Sequence, residues 1–275
     1  MDVNSPEPNQ EIDRIEAVLA LERRSRRALL IRVAIVGACV VGCLWITGVF
    51  DPRRVANGVP ALWTLFTEML PPDFSRWRQW VKPLIDTVAM SVAGTAMAVA
   101  LSLPLAFLAA ANTTPNRAAF HAARVVLNFF RAIPELIMGI VFVAAVGFGM
   151  LPGVLALGLH SIGMVGKFFA ETIEHVQREP IEAAVATGAT PMQVMTHSIL
   201  PQAYPKFADI TMYRWEYNFR ASTVLGMVGA GGIGTELIGS LRLLDYQQVA
   251  AILIVILVAV TIVDTLSSML RRSLT

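Results

Sequence analysis

The stretch EAAVATGATPMQVMTHSILPQAYP, Glu182 to Pro205, is polar and amphipathic, yet it lies between long apolar blocks. Pro180 and Glu182 read as a helix start, because a proline in the first turn loses no needed N–H and a carboxylate there meets the positive end of the helix dipole. Ala183, Ala184 and Ala186 continue that helix, and Gly188, Thr190 and Pro191 break and restart it. In the second helix Met192, Val194, Met195 and Ile199 alternate with Gln193 and His197 before Pro201 stops it. The expected product is a small water-facing knob of two short helices.

The residues around the knob belong in lipid. Hydrophobic residues make up 55% of the 275 and charged residues only 15%, a balance that excludes a soluble domain of this length. A helical span needs roughly 20 mostly apolar residues to cross the hydrocarbon core. The chain supplies several such blocks, which predicts an all-α, polytopic membrane protein with about six transmembrane helices. The expected spans are about 29–50, 84–111, 133–148, 154–169 and 207–228, with a sixth in QQVAAILIVILVAVTIVDTLSSMLRRSLT. In the second, Ser91, Gly94, Thr95 and Ala98 are small residues at helical spacing, a face for close helix packing.

The organisation that follows is a cytoplasmic N-terminal helix over residues 1–28, a first span over 29–50, an extracytoplasmic segment over 51–83 and a core domain over 84–275, with the knob in a loop at 178–206. The start lacks the n-region and cleavage site of a signal peptide and is expected to remain attached. Arg23, Arg24, Arg26 and Arg27 place the first end inside, Arg117 and Arg124 mark an inner loop, and Arg271 and Arg272 place the other end inside. The knob then lies in the cytoplasm. A net charge of +2 gives no electrostatic footprint for nucleic acid. Cys39 and Cys43, on one face of an apolar helix, read as lipid-facing or packing residues rather than as a disulfide or metal pair.

Nucleotide motifs are absent. The nearest fragment to a phosphate-binding loop, SIGMVGKF, has Ser161 where the first glycine belongs and Phe168 where the hydroxyl belongs. Gly229, Gly231 and Gly234 satisfy the spacing of a dinucleotide fingerprint, but no strand precedes them and no suitably placed acid follows. Two readings of that glycine run stand: a flexible bend, or a broken helix lining the transport path, where Gly229, Gly231, Gly232 and Gly234 would offer N–H groups to an anion.

The sequence EAA, three residues, glycine, and then LP with its leucine twelve residues after that glycine resembles the signature loop of permease subunits of binding-protein-dependent ABC importers. The resemblance gives Glu182, Ala183, Ala184, Gly188, Leu200 and Pro201 the role of coupling helices that dock into a cytosolic ATPase. The family usually has an apolar residue where this chain has Ser198. DITMYRWEYNFRASTVLGMVGAGGIGTELIGSLRLLDYQQ, PPDFSRW, RAIPE and GVLALGLH further resemble phosphonate-uptake permeases. This likeness implies a methionine-permease-like type I importer fold in a bacterial inner membrane, with phosphonates or phosphite as cargo. It also implies two copies of this chain, two ATPase subunits and a periplasmic binding protein. No cofactor is expected in this chain, and no metal; ATP and Mg would be held by the partner ATPase.

Ionisable residues in the fifth span have to face inward, because charge at the bilayer centre is expensive. Glu216 and Arg220 are four apart, which suggests a neutralising pair; the rival reading makes Arg220 an electrostatic lure for the anion, with Ser222 and Thr223 as hydroxyl donors. Arg131 with Glu135, and Lys167 with Glu171, repeat the spacing. His160 reads as a neutral histidine bonded to a neighbouring helix. The alternatives are a permease for another small anion or an amino acid, an ion-coupled secondary transporter, and a membrane hydrolase, the last opposed by the absence of a G-x-S-x-G or H-E-x-x-H motif.

Overall fold

The computed structural model describes the backbone of residues 8–274, all of it helix or short connection. The side chains of Ile12, Ile15, Val18 and Leu19, expected to shape the N-terminal helix, lie outside the described set. The chain divides into two units, Met1–Thr67 and Glu68–Thr275. The first holds α1 (Pro8–Ile46) and α2 (Pro52–Glu68). The stretch Arg24–Ile46 of α1 is long and apolar enough to cross a membrane, and both cysteines on it are exposed. The segment after it is more ordered than its composition suggested: α2 is an amphipathic helix that carries Pro60 and pairs Trp63 with Phe66.

The second unit is a bundle of α3 (Trp77–Ala109), α4 (Arg117–Ala132), α5 (Glu135–Val146), α6 (Met150–Glu174), α7 (Arg178–Ala186), α8 (Pro191–Val194), α9 (Leu200–Leu225), α10 (Ile233–Arg242) and α11 (Tyr246–Leu274). It opens with the PPDFSRW turn, where the Asp73 carboxylate accepts hydrogen bonds from the Ser75 N–H and hydroxyl, which hold its pKa below the usual carboxylate value. The closest helix pair is α3 with α6, and the small-residue face makes it so. Ser91, Gly94, Thr95 and Ala98 are buried, and a Cβ on Gly94 would lie 2.9 Å from that of Leu157.

Among the described residues four helices are apolar and long enough to span, and up to six spans result if each of two bent pairs crosses once. The bent pairs are α4 with α5, at 84°, and α9 with α10, at 58°. The first corrects the expected inner loop around Arg117 and Arg124, which is helical. Asn116 caps it by accepting from the Ala119 N–H at 2.8 Å, and Phe120, Ala123, Leu127 and Phe130 give it an apolar stripe. Arg124 then reaches the Ala109 carbonyl and the Glu174 carboxylate.

Candidate functional site

The knob is present, with two corrections to its outline. Its first helix begins at Arg178, so the acid in the first turn is Glu179, and Glu182 stands exposed one turn further on. Gly188 ends it at φ +83°, with the Gly188 N–H bonded to the Val185 carbonyl and the Ala189 N–H to that of Ala184. That pair of bonds is a Schellman close, which needs a left-handed residue where glycine stands. Thr190 and Gln193 then form a reciprocal capping box on α8.

Pro201 does not stop the second helix. A π turn at Met195–Ile199 joins α8 to α9 without a break, and the Leu200 N–H bonds the Met195 carbonyl. A proline ring near a helix start clashes with the carbonyl four residues back, and a wider turn relieves that clash. The rod that begins in the knob therefore continues to Leu225.

Val194 and Ile199 are buried in the bundle core, while Val185 and Met192 are 58% and 67% exposed. Ala183 and Pro201 are exposed, and Leu200 is partly buried against the core. Ser198, the departure from the family pattern, is buried and donates to the Pro180 carbonyl at 3.3 Å. It ties the two limbs together.

At the other end of α9 the helix passes into a π turn, Gly226–Ala230, and then breaks. Gly229, Gly231 and Gly232 have φ of +101°, +82° and +79°. The break is packed tightly. A Cβ on Gly234 would strike the Thr223 carbonyl, and one on Gly229 would lie 2.5 Å from the Phe148 ring. The Gly149 N–H bonds the Gly229 carbonyl, and Thr87 Oγ1 accepts from the Ile233 N–H at 2.8 Å, capping α10. The geometry is that of a broken span with its freed backbone groups bonded to neighbouring elements.

The charged residues find partners other than those their spacing offered. Arg220 Nη1 lies 3.2 and 3.3 Å from the two carboxylate oxygens of Asp264 on α11, and Glu216 pairs with Arg271. The expected Glu216–Arg220 pair is not made, because α11 runs beside α9 and presents opposite charges to both. Ser222 and Thr223 donate back to the carbonyls of Phe219 and Arg220, each at 2.7 Å. The Arg131–Glu135 pair is likewise absent, since the chain bends at Pro134 and i,i+4 neighbours meet only on a continuous helix. Lys167 and Glu171 do pair, at 3.5 Å.

Glu135 belongs instead to a polar cluster that links α3, α5, α6 and α9. It accepts from Tyr217 Oη at 2.8 Å and lies 3.4 Å from His160 Nε2. His160 Nδ1 is 3.0 Å from the Ile133 carbonyl, so the histidine bonds across to the α4–α5 corner. Arg214, 1% exposed, donates from Nε to Ser161 Oγ at 2.8 Å, and its guanidinium lies 4.2 Å from the Tyr217 ring centroid. Ser161 bonds Asn218, which bonds Thr95 on α3. Among the described residues no three His, Cys, Asp or Glu side chains come together as a metal site.

A family model described as binding-protein-dependent transport system inner membrane component matches residues 102–275. The chain belongs to that family. It is an inner membrane permease subunit. The permease is 64% identical over 241 residues to the phosphite transport system permease protein PtxC of Stutzerimonas stutzeri, covering 88% of both chains. It is 37% identical to the putative phosphite transport system permease protein HtxC of the same organism, over 96% of this chain and 93% of that one. A third relative, the phosphate-import permease protein PhnE of Mycolicibacterium smegmatis, is 42% identical over 82% of this chain and 42% of its own length. Among solved structures, an inward-facing MetNI methionine ABC transporter shares the fold at TM-score 0.64 and 20% identity, over 74% of this chain and 99% of that one.

Arg214 is the residue that spacing did not bring forward, although the sequence placed it in a span. One signal was there to use: Arg214 and Arg220 are two cations beside a single acid, Glu216, on one span, so at least one of them needs a partner from elsewhere. Which of them meets an acid is decided by α6 and α11, far away in sequence.

Proposed function

We propose that this permease is the membrane-spanning subunit of an ATP-driven importer for phosphite or phosphonates. Two copies would form the path, a periplasmic binding protein would deliver the anion, and two cytosolic ATPase subunits would hold ATP and Mg and dock on the knob. The observation that carries the reading is the 64% identity to a phosphite permease over most of both chains. In this arrangement both termini and the knob face the cytoplasm, as Arg23, Arg24, Arg26, Arg27, Arg271 and Arg272 suggest, and α2 faces outward against the charge of its own Arg53 and Arg54, a rule that longer segments obey less strictly.

The geometry supports a mechanical role. The exposed Val185 and Met192 offer apolar contact to a partner, and the capping box and Schellman close hold their helices rigid. Displacement of the knob would travel along α9 to the glycine break, a rod of about 50 Å at the rise of an α-helix. Rigid elements joined at defined breaks rock as bodies, and alternating access of the two copies is the transport cycle such a bundle supports.

The test is reconstitution. The permease, its ATPase and the binding protein in vesicles should take up labelled phosphite only with ATP, and methylphosphonate should compete. Uptake by the permease alone, or uptake driven by an ion gradient without ATP, would end this reading. Orthophosphate is a second cargo to include, favoured by the 42% identity to the phosphate-import permease, and its ability to compete separates the two.

A further inference from the structure

In the core unit, most acids of the inner half meet a cation. Glu171, Glu174, Asp209, Glu216 and Asp264 pair with Lys167, Arg124, Lys206, Arg271 and Arg220. Arg214 is a buried cation with no carboxylate within ion-pair distance among the described residues. Ser161 Oγ and the Met164 sulfur, 3.4 Å from Nη1, are neutral acceptors, the Tyr217 ring covers one face, and Nη2 has no hydrogen-bond partner. The neighbouring acid, Glu135, is turned to Tyr217 and His160. A guanidinium stays charged in any such setting. Neutral groups replace only part of its lost hydration, so the site retains an attraction for an anion.

A groove of about 880 Å³ leads toward it. It lies between α6, α9 and α11, lined by Phe168, His175, Ile210, Tyr213 and Arg271, and its two acids, Glu171 and Asp209, are met by Lys167 and Lys206. Phe168 is one turn from Met164 on α6, and Ile210 is one turn from Arg214 on α9. Through Ile210 and Tyr213 the lining thus reaches the turn of α9 that carries Arg214.

We propose that Arg214 is a transient station for the transported oxyanion, buried in this structure against Ser161, Met164 and Tyr217. It takes the place that spacing had offered to Arg220, whose charge Asp264 already meets. The proposal rests on the oxyanion cargo argued above. During the cycle, separation of α6 from α9 exposes Nη2, which donates to an oxygen of the anion. Tyr217 keeps the guanidinium plane oriented. Because no carboxylate has to be displaced, the anion binds without breaking an ion pair and leaves as readily.

Phosphite uptake into vesicles containing the complete complex tests this, with ATP hydrolysis and subunit assembly followed in parallel. Arg214→Gln is expected to lower uptake roughly 10- to 100-fold, the range of one charge-assisted hydrogen bond, while loaded binding protein still stimulates ATP hydrolysis. Arg214→Lys, which keeps the charge, should recover most of the loss. If Arg214 only balances Glu135, the double variant Arg214→Met with Glu135→Gln will restore uptake to the wild-type level, and the proposal falls. Uptake that stays low in an assembled double variant supports it. Should neither variant assemble, labelled phosphite binding to the wild-type permease without binding protein decides: saturable binding supports the station, and none up to millimolar concentration overturns it. If the wild-type complex carries a different anion, the cargo reading fails and the same variants judge the station on that anion. A neutral or cationic cargo overturns both.

Discussion

Two helix pairs of this permease are sharply bent, and they are bent by different chemistry. At the α4–α5 corner Pro134 removes a backbone donor, and the neighbouring Ile133 carbonyl is met by a side chain from another helix, His160. At the α9–α10 corner glycines adopt positive φ, and a freed N–H, that of Ile233, is met by Thr87. The proline corner recruits charge: Glu135, His160, Tyr217 and Arg214 gather behind it. The glycine corner excludes side chains, with backbone packed on backbone around Gly226 and Gly234. One break is therefore held electrostatically and the other sterically, and substitutions should tell them apart.

The largest effect is expected at the steric corner. Gly234→Ala puts a methyl group against the Thr223 carbonyl, a clash with backbone that no rotamer relieves, and should cost about 3 kcal/mol. Thermal unfolding of detergent-purified protein measures it, and an unchanged midpoint would show that the corner is loose. The proline corner comes next. His160→Leu leaves the Ile133 carbonyl and the Glu135 carboxylate short of a partner, a loss of about 2 kcal/mol for buried polar groups. The size of that loss should be recovered in part by Glu135→Gln in the same chain, since the pair interacts; simple additivity would separate the two residues.

Smaller again is Thr87→Val, which keeps the volume but removes the Ile233 partner, at about 1 kcal/mol, with Thr87→Ser restoring it. The smallest is Lys167→Ala: an exposed i,i+4 pair contributes about 0.3 kcal/mol, and a shift beyond measurement error would mean that Lys167 has a partner outside this chain. Gly188→Asp keeps the space, since nothing lies within 4 Å of a Cβ there, but strains the left-handed turn; uptake should fall while the bundle stays folded.

Much of this was legible in the residues because the controlling interactions are local. Hydropathy marked the spans, Ser91, Gly94, Thr95 and Ala98 marked the packed face of α3, and Gly188, Thr190 and Pro191 marked the corner of the knob. Where the reading failed, a local rule met a nonlocal competitor. Pro201 ought to end a helix, but a π turn absorbed it. Asn116 could have shown α4, yet the basic residues near it read as a loop.

The chain by itself determined which helices are apolar enough for lipid and where the knob turns at Gly188, since those depend on the apolar content of a window and on what glycine permits. The partners of Glu135, Glu216 and Arg220 were decided only by the fold. An i,i+4 spacing brings two long side chains within reach, but a carboxylate or guanidinium chooses among every charge packed around it, and in this bundle those come from helices far apart in sequence. The same rule leaves Arg214 without an acid: Tyr217 is its neighbour one turn on along α9, but Ser161 and Met164 come from α6, which only tertiary packing brings up to it.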